Sequence, residues 1–320
     1  MGQAEGGSRR VVVLGGTGSV GRHVCAEFLR SGYRVVVVAR SPAGGVAPGH
    51  FLPLDLAAAT PDRIGALLRE SDVDVVVNAT DAANATDGWD RTEAEMTRAN
   101  VGMVTNLLAA MRTAPRRPRL VHVGTIHEYG PAPSGTAIGE SFVPRPTSVY
   151  ARTKLAGSAA VLAATADGVV DGVVLRSVNV CGPHPSPETL PGKLLRMLDE
   201  TSRTGRMPIT IAPVSRDFVD VRDLAVAVRL AAERPGVGGP VNIGSGVAVP
   251  LHDLVTLFVT SAGFPASIIE LQAGAVSSLG ADWTRADIRL AHELFGWVPR
   301  IPLAVSLREM WQAYQRLGTG

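Results

Sequence analysis

The chain has 320 residues, of which 46 % are hydrophobic and 19 % charged, a balance that provides a buried core and excludes a disordered body. A net charge of +2 without a basic run excludes a general attraction to nucleic acid, and no apolar stretch approaches the roughly 20 residues of a membrane span. Cys25 and Cys181 lie far apart and form no CxxC pair, so we expect a reduced, cytosolic protein without a metal centre. Residues 1–8 are expected to form a disordered tail.

The first half of the chain alternates short apolar runs with helix-length amphipathic stretches. Strands are predicted at 11–14, 34–39, 51–52, 73–78, 120–123 and 169–175, and helices at 20–30, 62–69, 90–111 and 147–164. The strands are nearly continuous apolar runs, as in a parallel sheet that is covered on both faces. The alternation therefore predicts an α/β fold with a doubly wound parallel sheet.

The pattern loosens after Cys181, where a turn-rich segment over 182–187 interrupts it. Shorter helices are expected near 190–202, 222–232, 250–262, 285–294 and 303–316. We interpret 9–182 as one domain that contains the parallel sheet and 183–320 as a smaller, mainly substrate-binding α/β region, with the chain returning to the first domain around 213–245. The smaller region is expected to cover the carboxyl edge of the sheet, where open α/β sheets bind ligands.

A glycine-rich turn connects the first predicted strand to the first helix and fits the pattern G-x-G-x-x-G. Its residues are Gly15, Gly16, Thr17, Gly18, Ser19, Val20 and Gly21. The glycines allow a tight turn, a close approach of the backbone to a pyrophosphate and close packing of the helix, whose N-terminus favours an anion. Because a strand precedes the turn and a helix follows it, we predict a dinucleotide site and interpret 9–182 as a dinucleotide-binding domain.

The end of the second strand predicts which dinucleotide is bound. Arg40 and Ser41 stand where an NAD site usually has an acidic residue for the ribose 2′-OH, and arginine instead suits a 2′-phosphate. We therefore predict NADP(H), the alternative being an ordinary solvated arginine. Asp55 is placed to accept a hydrogen bond from the adenine amino group.

Tyr150 and Lys154 form a Y-x-x-x-K pattern at the start of a predicted helix. Positions i and i+4 share a helix face, so the ammonium is expected to lower the pKa of the tyrosine. A tyrosine tuned in this way exchanges a proton with a carbonyl or carbinol oxygen. The pattern lies downstream of a strand that leads to Thr125.

Several motifs together resemble the extended short-chain dehydrogenase/reductases, the NAD-dependent epimerase/dehydratase family. Besides the glycine turn, Thr125 and the Tyr150/Lys154 pair, five segments are similar to the family's NVxGTxNLL, LRxxNVYGP, RDFVHVxD, NIGSG and GWxP motifs, at 100–108, 175–183, 216–223, 242–246 and 296–299. The resemblance covers about residues 10–316. It implies a Rossmann fold and a homodimer formed by the helices at 90–111 and 147–164.

The resemblance also assigns roles to individual residues. Tyr150 is implied to be the general acid, Lys154 to hold the nicotinamide ribose as well, and Thr125 to hydrogen-bond the reacting oxygen. Further cofactor contacts are implied at Leu56, Asn78, Ala79, Thr80 and Asn100.

A substrate diphosphate is implied at Asn179 and Arg216, and the chemistry fits because arginine pairs strongly with phosphate. The alternatives are that Arg216 pairs with Asp220 and that Asn179 caps a turn.

Departures from the family's motifs narrow the expected reaction. Ile126 and His127 follow Thr125 where 4,6-dehydratases have Asp-Glu, and Ile126 cannot donate a proton, so dehydration is not expected. Within the family the chain most resembles the dTDP-4-keto-6-deoxyhexose 4-ketoreductases of antibiotic deoxysugar pathways, which implies an NADPH-dependent reductase of a dTDP-sugar. One alternative is a nucleotide-sugar epimerase, for which His127 could serve and against which Arg40 argues. Another is a non-catalytic NADP-sensing regulator, a class that typically lacks the Tyr/Lys pair.

Overall fold

The computed structural model describes residues 8–43, 50–81, 92–274 and 281–318, so all of the predicted tail except Ser8 lies outside the described residues. The strands are β1 (Arg10–Leu14), β2 (Arg34–Ala39), β3 (His50–Pro53), β4 (Val75–Asn78), β5 (Arg119–Thr125), β6 (Asp171–Ser177), β7 (Asn179–Cys181), β8 (Met207–Ile209), β9 (Ser215–Asp220), β10 (Pro240–Ile243), β11 (Ala248–Pro250) and β12 (Ile269–Leu271). The α-helices are α1 (Gly21–Arg30), α2 (Pro61–Ser71), α3 (Glu93–Thr97), α4 (Met103–Arg112), α5 (Val149–Ala166), α6 (Leu190–Thr204), α7 (Val221–Ala232), α8 (Leu251–Ser261), α9 (Arg289–Phe295) and α10 (Leu303–Gly318). No helix among these residues is long and apolar enough to cross a membrane.

The central sheet has seven parallel strands in the order β10-β6-β5-β4-β1-β2-β3. Successive side chains of β1 enter opposite cores, because neighbouring residues of a strand face opposite sides of the sheet. Val11 and Val13 pack with residues of α1 and α7, whereas Val12 and Leu14 pack with residues of α2 and α4. Both faces of the sheet are therefore covered by helices, which confirms the predicted doubly wound fold.

The long helix predicted over 90–111 is interrupted by a π-helical turn. Residues 90 and 91 lie outside the described residues, and α3 begins after a capping box between Thr92 and Glu95. The wider turn Arg98–Gly102 then separates α3 from α4. It brings the carbonyl of Asn100 so close to α5 that a Cβ at Gly157 would lie 2.3 Å from that oxygen. Glycine at this position thus allows the two segments to approach each other, and π-turns of this kind are frequent near functional sites.

The second half contains short strands that the sequence did not predict. Strands β7, β9 and β11 form a three-stranded sheet, and β8 pairs with β12 in a two-stranded sheet. A third core lies between them and helices α6, α8 and α10, and contains Leu198, Phe258 and Trp311. The helix predicted over 285–294 begins only at Arg289, because Thr284 and Asp287 donate backbone hydrogen bonds to Ser215 and Ile138 in extended structure.

The chain returns to the central sheet after β9. Helix α7 packs against α1, where Arg229 Nε lies 2.7 Å from Glu27 Oε1, and β10 then pairs with β6 at the edge of the sheet. The carboxyl ends of the parallel strands and the elements that carry the third core thus meet along one edge.

Candidate active site

The glycine turn lies between β1 and α1, beside the carboxyl ends of β2 and β4. The amides of Gly15 and Gly16 both donate to Val38 O, over 2.8 and 3.2 Å. Gly15 has φ +78°, and a Cβ there would lie 2.9 Å from Ala79 O. A Cβ at Gly21 would lie 2.1 Å from Gly15 O. Side chains at these two positions would push the turn away from β4 and α1, so glycine is required by the fold of the turn itself.

The N-terminus of α1 opens toward the cavity described below. Gly21 is its first residue, and no acidic side chain lies in its first turn. Arg22 reaches back to Thr17 O over 3.3 Å, so a cation lies beside the turn. Free backbone N–H groups, the positive end of the helix dipole and this guanidinium together favour a phosphate. The arrangement fits the pyrophosphate of a dinucleotide.

The residues predicted to contact the adenosine half of the cofactor lie in different environments. Arg40 and Ser41 follow the last residue of β2 and are exposed beside the glycine turn. One carboxylate oxygen of Asp55 accepts a hydrogen bond of 3.1 Å from Ala57 N, so it also shapes its own turn. Leu56 is buried in the core beneath this turn. Arg40 and Asp55 are thus both charged and exposed, and each is accessible to a ligand.

Asn78 and Asn100 are both buried and hydrogen-bonded to protein groups. The Asn78 amide donates to His122 Nδ1 over 2.9 Å, and its oxygen accepts from Thr80 N and Thr80 Oγ1. Asn78 therefore fixes the shape of the Ala79–Thr80 segment that faces Gly15. Asn100 donates to Thr153 Oγ1 on α5 over 3.0 Å.

The two residues of the Y-x-x-x-K pattern lie in the first turns of α5. Ser148 caps this helix by accepting a hydrogen bond of 3.1 Å from Ala151 N. Tyr150 is 8 % exposed and its Oη donates to Asp81 Oδ2 over 3.1 Å. Lys154 is 4 % exposed and its Nζ donates to Val123 O over 2.9 Å.

The prediction that Lys154 lowers the pKa of Tyr150 is wrong for this structure. Burial, followed by the charge and hydrogen bond of Asp81, raises that pKa well above its usual value, and a hydrogen bond with Thr125 acts in the opposite direction. The ammonium of Lys154 is directed at a backbone carbonyl of β5 instead of the phenol. Tyr150 is therefore held in its protonated form, the form that a general acid requires.

The backbone amide of Thr125 is hydrogen-bonded to a buried carboxylate, which the sequence analysis did not identify. Glu128 Oε1 accepts from Thr125 N over 3.0 Å and from Ser158 Oγ over 2.8 Å, while Glu128 Oε2 accepts from Arg176 Nε over 2.8 Å. Glu128 is fully buried and Arg176 is 3 % exposed. A buried ion pair with all these hydrogen bonds fixes the end of β5, and with it the position of the Thr125 hydroxyl.

His127, Asn179 and Arg216 lie together on one side of the site. Burial, followed by the charge of Arg216, lowers the pKa of His127 to about 4, while a hydrogen bond with Asn179 raises it. Arg216 is 5 % exposed, and burial lowers the pKa of its guanidinium, while the charge of Asp282 acts to raise that pKa. Both carboxylate oxygens of Asp220 accept hydrogen bonds from Arg222, so the structure favours no pairing of Arg216 with Asp220.

One cavity of about 380 Å³ is lined by residues of the glycine turn, of the tyrosine site and of the cluster around Arg216. The polar residues on its wall include Ser19 of the glycine turn, Asp81, Thr125, His127, Tyr150, Asn179 and Arg216. Another part of its wall is apolar and includes Ile209, Ile211, Phe218 and Leu251. The structure thus brings the glycine turn, the tyrosine and the predicted diphosphate site into one space.

Comparisons with known proteins agree with this architecture. The model of the NAD dependent epimerase/dehydratase family matches residues 11–244. A dTDP-6-deoxy-L-talose 4-dehydrogenase (NAD(P)(+)) of Kitasatospora kifunensis is 37 % identical over 310 residues, which cover 95 % of each chain. A GDP-6-deoxy-D-mannose reductase of Pseudomonas aeruginosa is 25 % identical, with 97 % of this chain and 99 % of that one covered. The solved structure of MoeE5 in complex with UDP-glucuronic acid and NAD has a TM-score of 0.82 and 27 % identity, and the match covers 96 % of this chain and 99 % of the other. The resemblance predicted from the motifs is confirmed: the chain belongs to the NAD-dependent epimerase/dehydratase family.

Proposed function

We propose that this protein is an NADPH-dependent ketoreductase that reduces the 4-keto group of a dTDP-4-keto-6-deoxyhexose, a reaction of deoxysugar and antibiotic biosynthesis. The observation that carries the proposal is the cavity itself. A protonated, buried tyrosine and a fixed threonine hydroxyl line the same cavity as a glycine turn suited to a dinucleotide and an arginine suited to a diphosphate.

Each residue of the site has a separate role in the reduction of a carbonyl group. When bound, the reduced dinucleotide supplies the hydride. Thr125 donates a hydrogen bond that orients the ketone oxygen, and Tyr150 transfers its proton to that oxygen as negative charge develops. Lys154 anchors the start of α5 to β5 by donating a hydrogen bond to Val123 O. We assign it a second role, which is to donate hydrogen bonds to the ribose hydroxyls of the cofactor.

The preference for NADPH rests on Arg40. Its guanidinium is exposed at the end of β2, beside the turn that Gly15 and Gly16 tie to Val38. A planar guanidinium binds a 2′-phosphate by two parallel hydrogen bonds, whereas a ribose 2′-OH favours a carboxylate.

The substrate class rests on Arg216 and Asn179, together with the relative from Kitasatospora. A desolvated arginine binds a diphosphate strongly, and the apolar part of the cavity wall suits a base and a deoxysugar methyl group. The relative is named for the oxidation of a dTDP-6-deoxysugar at C4. Reduction of the corresponding 4-ketone is the same reaction in reverse, so the same set of side chains serves oxidation and reduction.

The test is the consumption of NADPH, followed by absorbance, with dTDP-4-keto-6-deoxyhexose generated in situ by a dehydratase. We expect one NADPH oxidised per ketone reduced, whereas an epimerase would consume none. Tyr150→Phe should reduce turnover by about 10²–10⁴-fold and leave NADPH affinity nearly unchanged, since only the proton donor is lost. Tyr314→Phe removes a hydroxyl outside the cavity and serves as the matched control.

Arg216→Ala separates the substrate site from the cofactor site. We expect a higher KM for the nucleotide sugar and an unchanged affinity for NADPH, measured by its fluorescence. Wild-type turnover in Tyr150→Phe, or no NADPH consumption by the wild type with any nucleotide keto-sugar, would show that the proposed function is wrong.

A further inference from the structure

Asp81 occupies a position that the reaction described above leaves without a role. It follows the Asn78–Thr80 segment at the carboxyl end of β4, and it lies on the wall of the cavity. Its Oδ2 accepts the hydrogen bond of Tyr150 Oη over 3.1 Å. Tyr150 is 8 % exposed, whereas Asp81 is exposed to solvent. The carboxylate therefore links the buried phenol to water.

The hydroxyl group of Tyr150 has a single proton, so it can donate to only one acceptor at a time. While Tyr150 donates to Asp81, the same proton cannot be donated to a ketone. When Tyr150 turns its proton toward the ketone, its oxygen presents lone pairs to Asp81, and a carboxylate there is repelled. A protonated Asp81 instead donates to that oxygen. Proton transfer to the substrate and proton uptake by Asp81 are thus coupled by geometry.

The other groups around Tyr150 are less suited to exchange protons with solvent. Thr125 is 7 % exposed, Lys154 is 4 % exposed and Glu128 is fully buried. Lys154 donates to Val123 O, and Glu128 accepts from Thr125, Ser158 and Arg176. Among these four neighbours of the phenol, Asp81 alone is both in hydrogen-bond contact and exposed.

We propose, on the basis of the ketoreductase function, that Asp81 is a proton-relay residue that returns a proton to Tyr150 in every turnover. In the reducing direction the O–H bond of Tyr150 breaks and the O–H bond of the product hydroxyl forms. Water or a buffer acid then protonates the Asp81 carboxylate. Finally the O–H bond of Asp81 breaks as that of Tyr150 is restored. The hydride supplies both electrons of the reduction, and the steps run in reverse for oxidation.

The relay is tested by separating the first turnover from the later ones. Tyr150 begins with its proton, so Asp81→Ala should carry out the first hydride transfer at nearly the wild-type rate and then turn over about tenfold or more slowly. Rapid mixing of enzyme and NADPH with the keto-sugar nucleotide shows this as a burst of NADPH oxidation equal to the enzyme concentration. Formate should fill the space left by Asp81→Ala and restore the steady-state rate in proportion to its concentration.

Two further variants control the experiment. Asp81→Asn keeps the shape of the side chain but cannot carry a proton, so it should show the burst and the slow phase without rescue by formate. Tyr150→Phe should lack the burst altogether. A steady-state rate in Asp81→Ala equal to that of the wild type would overturn the relay, as would a loss that affects the first turnover equally and is not restored by formate. If the wild type itself oxidises no NADPH, the ketoreductase function and the relay fall together, which is distinct from failure of the relay alone.

Discussion

Buried neutral histidine makes the stability of this fold depend on pH. His122 lies in β5, is 2 % exposed, and accepts the hydrogen bond of Asn78 Nδ2 at its Nδ1 over 2.9 Å. Protonation would place a proton on Nδ1, break this bond and leave a buried cation near Lys154. Burial, followed by the charge of Lys154, accordingly lowers the pKa of His122 from 6.5 to about 3.

The sign and the size of the effect follow from this shift. The folded pKa is below the unfolded one, so the unfolded chain binds the extra proton as the pH falls below 6.5, and stability is lost from there toward the folded pKa of about 3. Each pH unit within this window costs about 1.4 kcal/mol. At pH 5 the neutral His122 therefore lowers the free energy of unfolding by about 2 kcal/mol relative to pH 7 or above.

The assay is urea unfolding followed by tryptophan fluorescence at pH 7 and at pH 5. His122→Asn keeps an acceptor for Asn78 and removes the titrating group, so the loss of stability between the two pH values should be smaller by about 2 kcal/mol in this variant. His127 still titrates in it, since burial also lowers its pKa to about 4. His252→Asn, at a side chain that is 58 % exposed, is the matched control. Parallel pH dependence of wild type and His122→Asn would refute the reasoning.

Two other predictions concern the cofactor and the assembly. Arg40→Asp should weaken binding of NADPH far more than binding of NADH, because a carboxylate repels the 2′-phosphate and accepts a hydrogen bond from a 2′-OH; equal losses for the two cofactors would contradict the assignment. The helical segments Glu93–Arg112 and Val149–Ala166 should form a homodimer interface, since α5 carries small residues that allow close approach. A monomeric mass in light scattering at micromolar concentration would rule this interface out.

Six of the seven strands of the central sheet could be predicted from the sequence because each contains a short apolar run, whereas β10, with the sequence PVNI, was not predicted as a strand. Runs such as Val11–Leu14 and Val35–Val38 are apolar at every position, as burial on both faces requires. Strands β7, β8, β11 and β12 have three residues each, which is too short to show a period of two. They form because distant segments supply their partners, and no local pattern contains that information.

The same distinction applies to the site. The glycine turn and the Tyr150/Lys154 pair are local patterns, and the sequence predicted their positions. Asp81 and Tyr150 are 69 residues apart, and Glu128 and Arg176 are 48 residues apart, so only the fold shows that they meet. The pKa of Tyr150 was predicted in the wrong direction because its sign depends on burial and on Asp81, neither of which the spacing of two residues reveals. A signal for Asp81 did exist, since it directly follows a segment at the carboxyl edge of the sheet.

The return of the chain through α7 and β10 limits how substrate preference can be exchanged between relatives. Residues 221–243 belong to the central sheet and its helical cover, yet they divide the region that we propose to bind the substrate into two stretches of sequence. A chimera joined once after Cys181 would replace α7 and β10 as well, and would have to rebuild their contacts with α1 and β6. Transfer of sugar specificity therefore calls for two separate grafts on either side of a retained 221–243 segment, whether an engineer or recombination makes it.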